Sequence, residues 1–240
     1  MCNLKQLSTK AEIKVYFGAL VADSYAPKVV GPFGDGAFLR PGAEGLELVQ
    51  GQWGMIAPSA STRRPSSRAI LTNNARTETV ASKMTFRDAW RNRQRCLIPV
   101  AWYMEPNWET SKTKSMPWHL RRADGLPWAL AGLWSSWVDP ETGEVVPNYT
   151  LLTMNCDAHP MLNRLHKPDP TLPPDAQDKR AVIHVQPDDW GVWLHGNEED
   201  AVELFRLPPT DFFDQGNVQR TDAMLARMED TADGRNLSLF

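Results

Sequence analysis

Cysteine is scarce in this sequence, with only Cys2, Cys96 and Cys156 among 240 residues. Their number is odd and no two of them have CxxC spacing, so we expect neither a disulfide framework nor a structural zinc site. This usage is typical of a protein of a reducing compartment, and a cytoplasmic location is expected. The sequence gives no reason to expect a metal or any other cofactor.

Long apolar runs are also missing. No stretch reaches the roughly 20 residues of a membrane-spanning helix, and the N-terminal residues lack the apolar segment of a secretion signal. We therefore expect neither a membrane span nor secretion. The net charge is only −3, which argues against a strongly basic nucleic-acid-binding protein.

The charges are nevertheless unevenly distributed. Residues 1–122 contain 18 Lys and Arg against 9 Asp and Glu, a balance of +9. The remaining residues contain 8 against 20, a balance of −12. Such asymmetry can mark a surface that faces a polyanion, and it can equally arise by chance in a chain that folds into one body. The composition alone leaves both interpretations open.

The apolar pattern predicts one α+β domain over residues 1–240, built on a mostly antiparallel sheet with helices at its margins. A capping-box pattern at Thr9–Glu12 predicts a short helix. Residues 23–45 are rich in Gly, Pro and Asp, and we expect them to form a loop. The acidic residues after position 196 are predicted to be partly helical.

Four local features could carry chemistry: Cys2 beside the initiator, the polar run "NNARTET", Glu105 at the end of an apolar strand, and "HPMLNRLHKP", which offers His159 and His166 before a proline-rich loop. Each has an ordinary structural explanation when taken alone. If Met1 is removed, however, Cys2 carries an α-amine and a thiol on adjacent carbons. This pair can attack an aldehyde twice, first as an imine and then by ring closure to a thiazolidine.

Motifs along most of the chain add weight to these four features. In chain order they are Met1-Cys2, Trp53-Gly54, Asn74–Thr79, Arg95–Pro99, Tyr103–Pro106, Ala131–Trp134, Leu152–Cys156, His159-Pro160 with His166, Lys179–Val185 and Asp188–Leu194. As an ordered set they resemble the SOS-response-associated peptidase (SRAP) family, whose members include proteins that crosslink to abasic sites in DNA. The resemblance implies a barrel-like domain over residues 1–195, followed by an acidic extension over 196–240.

The sequence departs from the family pattern in two places. Many members have Asp-Gly before the aromatic pair, where this chain has Ala101 and Trp102, and Trp after the glutamate, where it has Pro106. Residues 168–178 separate His166 from the basic pair that includes Arg180. Either Lys167 or Arg180 could therefore take the place of the family's arginine.

The resemblance implies a crosslinking enzyme in which Cys2, freed of Met1, condenses with the aldehyde of an abasic deoxyribose. An α-amine has a pKa near 7.7–8.0, so about a tenth of it is neutral and nucleophilic at pH 7. Glu105 would then shuttle protons, and His166 would donate to the opened sugar or move a proton. Asn74 would hold the Cys2 backbone or the sugar, and Arg76 would bind a flanking phosphate.

The same resemblance implies DNA as the partner. Because an abasic site must be unpaired, we expect single-stranded DNA or a single-strand/double-strand junction, bound by a monomer that is associated with the nucleoid if bacterial. A basic groove and a stacking aromatic side chain are needed, although a basic loop is nearly as often merely solvated. The predicted DNA-binding residues are Arg76, Trp53 (or Trp102), Arg63, Arg64, Arg68, Lys83, Lys167 and Arg180.

Two other functions remain open from the sequence. Cys2 could serve an N-terminal-nucleophile peptidase or amidase that acts on a small amide or peptide. The crosslinking enzyme would instead be lyase-like, and the peptidase label of its family would reflect self-removal of Met1. Alternatively, the protein could recognise modified bases without forming any covalent bond. The Asn74 and Arg76 pair and the basic first half of the chain favour DNA over a small amide.

Overall fold

A computed structural model describes residues 2–65, 67 and 70–236, with side chains as far as residue 230. Ten strands and five α-helices occur within these residues. The strands are β1 Leu4–Leu7, β2 Val29–Val30, β3 Asp35–Gly42, β4 Gly45–Trp53, β5 Asn74–Arg76, β6 Arg95–Asn107, β7 Met116–Leu120, β8 Trp128–Val138, β9 Val145–Asn155 and β10 Arg180–Val182. The helices are α1 Lys10–Val15, α2 Arg87–Arg91, α3 Trp190–His195, α4 Glu198–Glu203 and α5 Gly216–Asn236.

Five of the strands close into a barrel. β3 pairs with β4 and β6, β6 with β8, and β8 with β9, all antiparallel, and β9 returns to β4 in parallel. The other strands extend this sheet: β1 and β7 pair with β6, β2 pairs with β1, and β5 and β10 pair with β9. The predicted α+β class, with a mostly antiparallel, barrel-like sheet and peripheral helices, is confirmed.

The barrel core consists of aromatic and aliphatic side chains from β3, β4, β6, β8 and β9. Burying one large aromatic side chain stabilises a fold by about 1.5–3 kcal/mol relative to leaving it exposed. Gly132 lies where β8 is paired with both β6 and β9, and a Cβ there would lie 2.5 Å from the Thr150 carbonyl oxygen. The close approach of these strands therefore requires glycine at this position.

The helices lie around the barrel. α1 begins with the predicted capping box, in which the Thr9 hydroxyl accepts a hydrogen bond from the Glu12 backbone N–H and the Glu12 carboxylate accepts one from the Thr9 N–H. The C-terminal residues also pack on the barrel, because Trp118 Nε1 donates to Thr221 Oγ1 at 3.0 Å.

Two local expectations are wrong. Residues 23–45, expected as a loop, contain the whole of β3, which pairs with β4 over eight residues on each side. Glu105 does not end its strand, since β6 continues to Asn107. Within the described part of the chain, no helix combines the length and apolar character needed to cross a membrane.

Candidate active site around Cys2

Cys2 is fixed in the interior by two amides from a distant part of the chain. Its side chain is 0% exposed, and its carbonyl oxygen accepts hydrogen bonds from Asn74 Nδ2 at 2.8 Å and Asn73 Nδ2 at 3.3 Å. Asn74 begins β5, whose parallel pairing with β9 places it opposite Leu151. Short as it is, β5 therefore holds the N-terminal segment against the barrel.

The thiol of Cys2 is turned along β1, with Sγ donating to the Leu4 carbonyl oxygen at 3.6 Å. Burial, together with the negative charge of Glu105, raises the pKa of this thiol to about 12. The thiol is therefore protonated at neutral pH, and its use as a nucleophile requires a proton acceptor nearby.

Glu105 is the acidic group whose charge acts on the Cys2 thiol. It lies on β6, two residues beyond Tyr103, and its side chain is 2% exposed. Burial raises the pKa of this carboxyl from 4.5 to about 7. A carboxyl that titrates at neutral pH can both donate and accept a proton, as an acid–base catalyst must.

His166 faces Glu105 from a strained backbone position, with φ of 64°. Its Nε2 lies 2.8 Å from the Arg180 carbonyl oxygen, and its Nδ1 lies 3.6 Å from Glu105 Oε2. Burial lowers the pKa of His166 to about 4, so the ring is neutral at pH 7. Because a carbonyl only accepts, Nε2 carries the hydrogen and the Nδ1 lone pair faces the carboxyl.

Two arginines predicted to bind DNA lie in ion pairs. Arg76 is about half exposed and its Nη1 lies 2.7 Å from Asp178 Oδ2. Arg180 is 5% exposed and binds Glu78 through two nitrogens, at 2.9 and 2.6 Å. Arg180 could contact a phosphate only if Glu78 were displaced. Lys167, the other candidate for the place of the family's arginine, is exposed.

The remaining predicted DNA contacts differ in how accessible they are. Arg64 and Lys83 are exposed, while Arg63 donates to Asp35 Oδ1 at 2.7 Å. Arg68 lies outside the described residues. The prediction that Trp53 stacks on an exposed base is wrong for this fold, because the ring is 0% exposed and one of its faces is covered by Lys5.

Sequence reasoning missed two residues of the site. Asn73 was one of a polar run, and only the structure shows that its amide also binds the Cys2 carbonyl. Lys5 was not singled out at all, yet it is 0% exposed and its Nζ lies 2.8 Å from the centre of the Trp53 ring. No pattern in "MCNLKQL" predicts a buried lysine, because that burial depends on a tryptophan 48 positions away.

The described residues contain no cluster of three or more His, Cys, Asp or Glu side chains able to hold a metal ion. Cys156, close to His159 in sequence, is buried, and its Sγ donates to the Leu162 carbonyl oxygen at 3.7 Å. The ring of His159 accepts from the N–H groups of Met161 and Leu162, which ties it to a turn.

Comparisons with solved structures place this fold among known proteins. A crystal structure of a Bordetella bronchiseptica protein is 32% identical, covers 89% of this chain and 97% of its own, and superposes with a TM-score of 0.76. A Bacteroides thetaiotaomicron protein is 18% identical over 89% of this chain and 90% of its own, with a TM-score of 0.69. A phage-related protein of B. bronchiseptica is 17% identical over 89% of this chain and 92% of its own, with a TM-score of 0.62.

Sequence comparisons add a curated relative and a family. The abasic site processing protein HMCES of Xenopus tropicalis is 24% identical over 138 residues, which is 50% of this chain and 40% of that protein. The match thus spans well under half the length of this curated relative. The family model described as SOS response associated peptidase (SRAP) matches residues 7–221, beyond the 195 residues that the motifs cover. With its barrel, its buried Cys2 and this match over most of its length, the chain belongs to the SRAP family.

Proposed function

We propose that this protein processes abasic sites in DNA by covalent capture, through a thiazolidine formed between the sugar aldehyde and Cys2 freed of Met1. The observation that carries the proposal is the fixing of the Cys2 carbonyl by Asn74, at 2.8 Å across 72 residues of sequence, in the interior where the charge of Glu105 acts on the Cys2 thiol. The name of the Xenopus relative points to the same substrate class.

The chemistry needs two bond-forming steps on one residue. The α-amine of Cys2 adds to C1′ of the open-chain sugar and water is lost, which leaves an imine. The thiol then adds to the same carbon, and its proton balances the new N–H of the ring. Since both nucleophiles belong to Cys2, ring closure is intramolecular and gains effective concentration. Asn73 and Asn74 keep the backbone of this residue in place.

Glu105 and His166 would move the protons of the first step. A carboxyl with a pKa of about 7 can protonate the departing hydroxyl and recover a proton when the adduct reverses. The neutral ring of His166, anchored through Nε2 to the Arg180 carbonyl, turns Nδ1 towards Glu105. His166 can therefore orient the carboxyl or relay its proton.

The DNA strand would be held by exposed cations near the pocket. Arg76 lies two residues after Asn74, which binds Cys2, and Lys167 directly follows His166. A cavity of about 390 Å³ borders Thr72, beside the Asn73 amide, and combines Arg64 with apolar walls. We assign it to a nucleotide flanking the abasic site. The substrate on this proposal is single-stranded DNA or a junction, and the protein acts as a cytoplasmic monomer.

The proposal is tested by incubating the purified protein with single-stranded DNA that contains one abasic site, beside an undamaged strand of the same sequence. We expect intact mass to show loss of Met1. We also expect a heat-stable protein–DNA band with the damaged strand only, whose mass corresponds to condensation with loss of one water. Turnover of a peptide without adduct would instead favour an amidase, and retention without covalency would favour a noncovalent reader.

Replacing Asp178 by asparagine is expected to strengthen DNA binding. Asp178 Oδ2 lies 2.7 Å from Arg76 Nη1, and both side chains are nearly half exposed. Such a pair contributes about 0–1 kcal/mol, so its removal should lower Kd for single-stranded DNA by up to about fivefold. Fluorescence anisotropy over a range of salt concentrations measures this change.

Asp175→Asn is the matched control, since Asp175 is an exposed residue of the same loop and the variant has the same net charge. It should bind DNA as the wild type does, apart from a small uniform charge effect. An equal gain in both variants would show that net charge alone matters, and an unchanged Kd for Asp178→Asn would remove Arg76 from the phosphate contact.

A further inference from the structure

Lys5 is a buried lysine for which the proposed mechanism so far has no use. It is the second residue of β1, it is 0% exposed, and its Nζ has no hydrogen-bond partner among the residues that the structure describes. An unpaired ammonium group is costly to bury, so lysines are almost never fully buried without a partner. A group kept in this position at such a cost is a candidate for function.

The surroundings of Lys5 connect it to Cys2. Its Nζ lies 2.8 Å from the centre of the Trp53 ring and 5.1 Å from that of Tyr149. Trp53 Nε1 donates to the Asn73 carbonyl oxygen at 2.8 Å, and the Asn73 amide donates to the Cys2 carbonyl. The Cys2 thiol points to the carbonyl of Leu4, the residue directly before Lys5. Lys5 and Cys2 are therefore linked through Trp53 and Asn73, and the amine and the thiol also influence each other electrostatically.

The pocket favours the uncharged form of this amine. The face of Trp53 attracts an ammonium group, but this attraction is smaller than the cost of removing an unpaired ammonium from water. Burial accordingly lowers the pKa of Lys5 well below its usual value, and the electrostatic influence of Cys2 opposes that shift only in part. An uncharged lysine amine is a proton acceptor.

The other titratable groups of the pocket are less suited to accept the thiol proton. Tyr103, opposite Lys5 on β6, and Tyr149 on β9 have phenols whose pKa burial raises well above 10.0, so both remain protonated. Glu105, on β6, faces His166 and is used in the first step. β2 presents only Val30 opposite Lys5.

We propose that the Lys5 amine accepts the proton of the Cys2 thiol when the ring closes, a role that rests on the proposed function. The thiolate attacks the carbon of the protonated imine, a C–S bond forms, and the electron pair of the C=N bond moves to nitrogen. Lys5 leaves this step as an ammonium group and returns its proton to water or to Glu105. Without such a base, only about one thiol in 10⁵ would be ionised at pH 7, because the pKa of Cys2 is about 12.

The test separates imine formation from ring closure in rapid-quench experiments with Lys5→Met. One sample is quenched with borohydride, which traps the imine, and its partner is quenched by heat and denaturant, which spares only the closed ring. We expect Lys5→Met to form the trapped imine at the wild-type rate and to close the ring at least tenfold more slowly. Lys14→Met, which changes an exposed lysine of α1, should match the wild type in both.

The pH profile distinguishes a proton acceptor from a residue that merely fills space. Ring closure in Lys5→Met should accelerate about tenfold per pH unit, since free hydroxide must then ionise the thiol, whereas the wild type should be nearly level around neutral pH. Lys5→Arg places a permanent cation over Trp53 that cannot accept a proton, so it should behave like Lys5→Met. If Lys5→Arg closed the ring at the wild-type rate, the proposal would be overturned.

A measurement on the wild type alone covers the case in which no variant folds. If wild-type ring closure itself rises tenfold per pH unit between pH 6 and 9, Lys5 is not the acceptor. Failure of the wild type to form any adduct would instead overturn the proposed function, and the role of Lys5 with it. The two failures are thus distinguishable.

Discussion

The Cys2→Ala variant is expected to form no heat-stable crosslink with abasic single-stranded DNA. Alanine retains the α-amine, so the imine still forms, but no second nucleophile on the same residue can close the ring. Because an intramolecular thiol has an effective concentration of about 10⁵–10⁸ M, its loss should reduce the yield of closed adduct by at least about 10³-fold. Denaturing gels with and without borohydride measure both species.

The retained α-amine makes this prediction specific to the thiol. With borohydride present, Cys2→Ala should still give a covalent band, provided that its intact mass shows removal of Met1. Cys96→Ala and Cys156→Ala change the other two cysteines, which are buried as well, and should crosslink like the wild type once their folding is verified. A heat-stable crosslink in Cys2→Ala would show that another residue is the nucleophile.

Replacing Glu105 by glutamine is expected to slow both formation and reversal of the adduct by about 10²–10⁴-fold. Glutamine has nearly the same shape and keeps the pocket filled, but it cannot donate or accept the proton that the departing hydroxyl requires. The wild-type rate should also change around pH 7, where this carboxyl titrates, and the variant should lose that inflection. Single-turnover kinetics from pH 5 to 9 measure both effects.

The same variant should be more stable than the wild type at alkaline pH. Folding raises the pKa of Glu105 from 4.5 to about 7, so the folded state binds this proton more tightly than the unfolded state does. Its contribution to stability is therefore full below pH 4.5 and is lost as the pH rises through 7. Between pH 4 and pH 9, Glu105→Gln should gain about 3 kcal/mol relative to the wild type.

Urea unfolding at several pH values measures this gain, and Glu141→Gln, which changes an exposed glutamate between β8 and β9, is the control. Loss of catalysis together with a gain of alkaline stability would identify Glu105 as a group held in its pocket for function rather than for folding. Unchanged kinetics in both directions would remove it from the mechanism.

Much of the fold follows from local patterns, and the failures have a common cause. The capping box at Thr9 and the apolar strands β6, β8 and β9 are visible in the sequence because each depends on neighbouring residues. β3 was missed because it contains two glycines and a proline. Gly36 is needed there for contact with the Tyr149 ring, on a strand more than 100 residues away. Composition cannot distinguish such a strand from a loop.

The candidate site was likewise predictable only in part from the sequence. The resemblance to the family identified Cys2, Asn74, Glu105 and His166 as candidates, and the structure brings them to one pocket. The resemblance could not show that Asp178 forms an ion pair with Arg76, because that contact depends on how residues 168–178 return to the barrel. Nor could it show that Trp53 is buried beneath Lys5. Long-range contacts of this kind decide whether a charged or aromatic side chain is available to a ligand.

The fixing of Cys2 in the interior sets an order of events during synthesis. At about 5–20 residues per second, the ribosome needs roughly 5–20 s to extend the chain from Cys2 to the end of β6, against which β1 docks. Cys2 itself is enclosed once this docking is complete, because its side chain is 0% exposed and its carbonyl is bonded to two amides. On the proposed function, the α-amine of Cys2 must therefore be freed either before β1 docks or within the folded site.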